Sequence, residues 1–187
     1  IENAFVRVGA KTAYTGSSGD VTFSLTEGAT YDLVVYVHSD FKYVSTVTIT
    51  DGGTETVKFA KKMFRVTQTM PSGAAVKGAA TKVGGKNINI TTDGNGYAVY
   101  YLPESSTTYL YEVWKETSFR ASGSFTAGSD EDIYVKLTEQ QFQVWNRLPS
   151  LDEVKDAYVK VGGVKKSTDA DGLVSFWLPS GVYTGTR

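Results

Sequence analysis

Two short loops hold the side chains most easily read as chemistry. Asp93-Gly94-Asn95-Gly96 and Asp169-Ala170-Asp171-Gly172 space their carboxylates as a calcium ion would want them. That ion needs about 6 to 8 oxygens, and neither loop supplies the downstream bidentate Glu of an EF-hand. Asp and Asn equally suit tight turns, where their side chains bond the backbone two residues on. The corresponding stretch Gly16-Ser17-Ser18-Gly19 carries no carboxylate, so a turn is the expected role. The single histidine, His38, cannot build a multi-His metal site, and no motif sets a nucleophile and an acid beside it. It is expected on the solvent side of a strand. Asp130-Glu131-Asp132 crowds three acids together, but strand neighbours point to opposite faces, and a charged turn is expected there. Four rings stand apart. Tyr97, Tyr101 and Trp177 fall on outward positions of their strand, with Trp114 outward on the next. Such rings stack on sugars or, more commonly in structural proteins, anchor contacts between units or subunits. The sequon Asn89-Ile90-Thr91 would carry a glycan only in a secretory eukaryotic host. No catalytic residue, metal site or cofactor is expected.

The elements that must position these residues recur at a spacing of about 77 residues. Ala4, Val8, Gly9, Gly19 and Tyr31 correspond to Ala79, Val83, Gly84, Gly96 and Tyr109, and again to Ala157, Val161, Gly162, Gly172 and Tyr183. A second motif, Phe64, Val66, Pro71 and Ser72, returns as Phe142, Val144, Pro149 and Ser150. Apolar residues alternate at Val21, Phe23 and Leu25, at Ala98, Tyr100 and Leu102, and at Val174, Phe176 and Leu178, as a half-buried strand requires. Another strand begins at each repeated Tyr, and further strands are expected over 44–50, 54–59, 122–126 and 132–137. Only 152–156 suits a helical turn, and a loop suits it as well. Short strands between Gly-rich turns indicate an all-β chain of tandem antiparallel β-sandwich repeats. The repeats divide as 1–60, lacking an opening strand; 61–138, complete; and 139–187, incomplete at its C-terminal side. Unpaired edges template further pairing, so Ile1 and Phe5 at one end, and Tyr183 and Arg187 at the other, are expected to be completed by more chain or by another subunit.

Units this small bury only ~60 to 65% of their unfolded surface, and the 12 Tyr, 9 Phe and 3 Trp supply large buried area per residue. The 19 basic and 20 acidic residues nearly cancel, and the basic stripe of a nucleic-acid binder is absent. No run approaches the ~20 apolar residues that would insert in a membrane as a helix. The chain has no Cys, so disulfides play no part. It has no initiator Met and opens and closes inside a repeat, which fits a portion of something longer. Its richness in Thr, Gly, Tyr and Val suits a secreted β protein.

The run Thr91-Thr92-Asp93-Gly94-Asn95-Gly96-Tyr97-Ala98-Val99-Tyr100-Tyr101-Leu102-Pro103, followed by Tyr109-Leu110-Tyr111-Glu112-Val113, resembles the signature of carboxypeptidase regulatory-like and CnaB-type domains, and 167–183 resembles it again. The resemblance implies transthyretin-like or immunoglobulin-like sandwiches of about seven strands serving as stalks, spacers or adhesive modules on bacterial surfaces. Such sandwiches host many roles. CnaB-type domains often carry a Lys to Asn or Asp isopeptide bond with an acid nearby. The resemblance would make Lys61 or Lys62 the amine, yet Glu112 should face solvent and 133–137 holds no Asn or Asp. The expectation is therefore a non-catalytic structural or adhesive module of an extracellular fibre, stalk or surface appendage, at a cell or virion surface and assembled by strand addition. Its partners would be neighbouring repeats, identical subunits, a glycan or a surface receptor. A carbohydrate-binding module, or a virion fibre or decoration protein, is the alternative.

Overall fold

The computed structural model describes residues 1–37, 41–69, 73–86, 89–116, 119–128, 130–146, 152–181 and 185–186. These residues form strands and turns without a helix. The strands are β1 (Phe5–Val8), β2 (Lys11–Tyr14), β3 (Thr30–Tyr36), β4 (Lys42–Thr48), β5 (Phe59–Thr67), β6 (Ala80–Val83), β7 (Asn89–Thr91), β8 (Tyr97–Pro103), β9 (Thr108–Trp114), β10 (Ala121–Thr126), β11 (Glu131–Gln143), β12 (Tyr158–Val161), β13 (Val164–Ser167), β14 (Leu173–Pro179) and β15 (Gly185–Thr186). They assemble into sheets ordered β2-β1-β3-β4, β10-β9-β6-β7, β14-β11-β5-β8 and β13-β12-β15. Alternation dictates the faces. In β8 every second residue, Ala98, Tyr100 and Leu102, is buried, and in β14 Val174, Phe176 and Leu178 repeat the pattern.

Buried side chains gather in three clusters. One lies under β2-β1-β3-β4 around Val6, Leu33 and Val35. The largest fills a sandwich between β10-β9-β6-β7 and the β11-β5-β8 sheet, around Phe64, Tyr100 and Leu137. The last holds Val159, Val161 and Phe176, with Phe142 and Val144 packed against it. We call these the first, second and third modules.

One turn is built three times. Thr15, Thr92 and Thr168 each accept a hydrogen bond at the hydroxyl from the backbone N–H of Ala4, Ala79 and Ala157, at 2.9, 2.9 and 3.0 Å. The same hydroxyls donate to the carbonyls of Ile1, Val76 and Val154. Each turn needs a left-handed residue, and Asn3, Gly78 and Asp156 take it with φ of 59°, 67° and 58°. The recurring Val-Gly of the sequence has a separate cause. Gly9 and Gly84 lie under the rings of Tyr31 and Tyr109, so closely that a Cβ would approach to 2.8 and 3.0 Å.

The structure departs from the expected elements in four places. β5 and β11 pair in parallel, Lys62–Thr67 beside Glu131–Lys136, because the chain leaves the far sheet after β10 and crosses back beside the strand on which the module opened. β11 continues from 137 to 143, where it turns from β5 to pair with β14 instead. Segments 21–25 and 54–58, expected as strands, belong to no sheet among the described residues. Residues 152–156 form no helical turn; Glu153 bridges Trp145, and a hydrogen-bonded turn follows at 155–156. Boundaries at 60 and 138 fall inside or beside continuous strands, not in linkers.

Candidate functional site

The residues with most to do lie where one module meets the next. Phe59, the first residue of β5, packs on the first cluster together with Val57 just before it, and five residues later the same strand buries Phe64 completely in the second. β11 repeats the device: Ile133, Val135 and Leu137 are buried in the second cluster, and Phe142 packs on the third. β5 and β11 thus each carry residues of two clusters on one uninterrupted strand. Because β5 and β11 run parallel, the chain enters the second module at one end of the sheet and leaves at the other.

Two aromatic contacts lock each junction. Phe41, at the start of β4, reaches across into the second cluster and meets the rings of Tyr100 and Tyr109 edge-on at 6.2 and 6.0 Å. Phe119, 78 residues on, does the same one module later, packing edge-on against Phe176 at 6.3 Å within the third cluster. In the opposite direction Tyr101 packs back on the first cluster, and Trp177 packs back on the second. An ion pair between Lys166 and Glu116 at 2.5 Å adds to the junction of the second and third modules.

The sequence candidates are redistributed by this arrangement. Trp114 is not outward: it is only 8% exposed, with the Arg120 guanidinium 4.7 Å from its ring. Its neighbour Val113 is fully buried, so the end of β9 is covered on both faces and alternation ceases to report the side. Tyr97 is half-buried under the Arg65 guanidinium. Ile1 is 45% exposed, and Phe5 sits between the rings of Tyr14 and Tyr36. Tyr183, Arg187, His38, Pro71, Ser72, Pro149 and Ser150 lie outside the described residues. Asp93 Oδ1 accepts the N–H groups of Asn95 and Tyr97, and Asp169 Oδ1 those of Asp171 and Leu173, all at 2.9 Å. These carboxylates brace the turns that launch β8 and β14. Among the described residues no group of three or more His, Cys, Asp or Glu could hold a metal ion.

Lys62 is fully buried, and its Nζ meets Glu131 Oε2 at 3.0 Å. The acid triplet is therefore no simple turn: Glu131 begins β11 and supplies the carboxylate opposite the buried amine. Glu112 pairs with Arg120 at 2.7 Å on the exposed side, and Lys61 is exposed. The junction phenylalanines escaped the sequence reading, although Phe41-Lys42 and Phe119-Arg120 stand 78 residues apart and carried the signal.

The first module differs from the others by an open groove of about 1030 Å³. Its floor is the apolar face of β1 and β3, with Val6, Val8, Leu33 and Val35; its walls are 20–25 and 52–59. Val21, Phe23 and Leu25 are only half-buried there, whereas their counterparts in β8 and β14 are buried. Among the described residues no backbone–backbone hydrogen bond joins 21–25 or 54–57 to a strand; the Ser24 carbonyl accepts only from the Lys11 side chain of β2. Tyr31 packs against the first cluster, and hydrogen bonding with Thr26 holds its phenol below the usual range.

No family model and no curated protein matches the chain. Among solved structures it is similar to the Bacillus anthracis TIE protein, at 16% identity and a TM-score of 0.32, over 99% of this chain. The chain spans 42% of that structure's length. The fold is the all-β sandwich that the strands themselves describe, antiparallel but for the β5–β11 pair.

Proposed function

We propose that the chain is a non-catalytic structural module of an extracellular fibre, stalk or surface appendage, on a cell or virion, whose sandwich units follow one another as a stiff rod. The observation that carries this reading is the junction: β5 and β11 are shared between modules, and each joint is plugged by an aromatic from either side. An enzyme needs converging reactive groups, whereas the sequence motifs here serve turns and joints. The finer assignment, to carboxypeptidase regulatory-like or CnaB-type units, rests on the run from Thr91 to Pro103 and its third-module counterpart. A carbohydrate-binding role would need its rings along one groove, but Tyr101 and Trp177 are engaged at separate joints and Trp114 is buried.

Small-angle X-ray scattering on the 187-residue chain tests the proposal. A rod gives a radius of gyration well above the ~16 Å of a compact domain this long, with no sign of flexing between units. A compact particle, or a profile of freely jointed beads, would refute it.

A further inference from the structure

The open groove of the first module corresponds to a position that is filled in the other two. In the second module β5 lies between β8 and β11, paired antiparallel with one and parallel with the other. In the first module the counterpart of β8 is 21–25 and the counterpart of the closing strand is 54–59, yet no strand lies between them. We propose that this groove receives a strand from another sandwich unit of the same repeat, an extended segment with the Phe-x-Val pattern of Phe64 to Val66 and Phe142 to Val144. The proposal rests on reading the chain as an array of such units.

The filled positions specify the occupant. Val66 N–H donates to the Gly96 carbonyl and Val66 C=O accepts from Val76; Val144 does the same with Gly172 and Val154. Gly19 occupies the place of Gly96 and Gly172 in the first module, with φ of +88° on a matching turn. The Phe of the pattern is deeply inserted, Phe64 having no exposure. An incoming Phe would enter over Val6, Leu33 and Val35, between Phe23 and Val57. Its strand would run antiparallel to 21–25 and parallel to 54–59. Main-chain bonds to both walls supply affinity, and alternate side chains supply selectivity.

What selects a sandwich unit over a small apolar ligand is the rest of the joint. At both junctions of this chain the preceding module provides two things together, a closing strand that runs on and a phenylalanine from the hairpin tip, Phe41 or Phe119. Among the described residues the first module's core receives neither.

The test adds a synthetic peptide of residues 61–69 to the full chain, beside the same peptide carrying Phe64→Asp and Val66→Asp. Amide hydrogen exchange is read over 21–25 and 54–58. The native peptide is expected to slow exchange there at least tenfold, and the double variant to bind at least about a hundredfold more weakly, having lost two buried apolar side chains. Concentration-dependent protection of the same segments without peptide would also support the proposal, a second copy then being the source. Absence of binding, protection confined to the second module, or equal binding of both peptides would overturn it. Scattering from the peptide-free chain reports the rod separately, so a failed groove and a failed rod give different results. Since the substitutions lie in the peptide, folding of the chain is never at stake.

Discussion

Thr15, Thr92 and Thr168 each tie two backbone groups at the mouth of a module. Substituting Thr92→Val keeps the shape but strands the Ala79 N–H and the Val76 carbonyl inside the second module. The expected cost is about 2 to 3 kcal/mol by urea denaturation. Thr15→Val should cost less, because its second partner belongs to the exposed Ile1. Tyr100 offers a pH test. Its hydroxyl donates to the Thr81 carbonyl at 2.7 Å, and burial raises its pKa above the ordinary 10.0. A phenol whose pKa is raised by folding favours the folded state below its unfolded pKa, and that contribution fades as pH climbs toward the folded value. The second module should therefore lose stability above about pH 10. Tyr100→Phe should flatten that loss while costing about 1 to 3 kcal/mol at neutral pH, followed by thermal melts across pH 7 to 11. Tyr111, raised by burial and by the nearby Glu131 charge, would keep part of the dependence.

At the level of elements, apolar alternation was legible and strand partnership was not. Alternation marked β8, β9 and β14 because one face of each meets a core. It also marked 21–25 and 54–58, which belong to no sheet, because period-two patterning reports a buried face and says nothing of the neighbour that supplies main-chain bonds. The 13-residue β11 carries the alternation of 132–137 and then the Phe142 motif on one strand because its inward face changes modules midway, and the expected break at 138 marks a change of core without a break in the backbone. Glu131 was missed for a related reason: adjacency in sequence concealed that its carboxylate meets Lys62 across the parallel pair. The hairpin-tip aromatics are expected to stabilise the module they enter, not the one they leave. Phe41→Ala, which removes a side chain 3% exposed, should destabilise the second module by about 3 to 5 kcal/mol. Limited proteolysis or hydrogen exchange should place the new weakness at β8 and β9.

For the molecule as a whole, the clusters differ in closure, so unfolding should not be a single transition. Tyr100, Phe64 and Leu102 have no exposure in the second cluster, whereas Val21, Phe23 and Leu25 remain half-buried in the first. The first module is expected to open at the lowest denaturant concentration, seen as early exchange over 1–50 while β5, β8 and β9 stay protected. The parallel pairing of β5 with β11 also has a mechanical side. Tension applied between Phe59 and Leu137 would pull β5 by one end and β11 by the other, in opposite directions along two strands lying side by side. The hydrogen bonds between Lys62–Thr67 and Glu131–Lys136 are then loaded in shear, all at once, and cannot be peeled apart one by one. In single-molecule stretching the second module should yield at a higher force when pulled through residues 59 and 137 than when the β9–β10 hairpin is unzipped from its open end. Pulled along this axis, the second module would thus give way only when that whole set of bonds fails together.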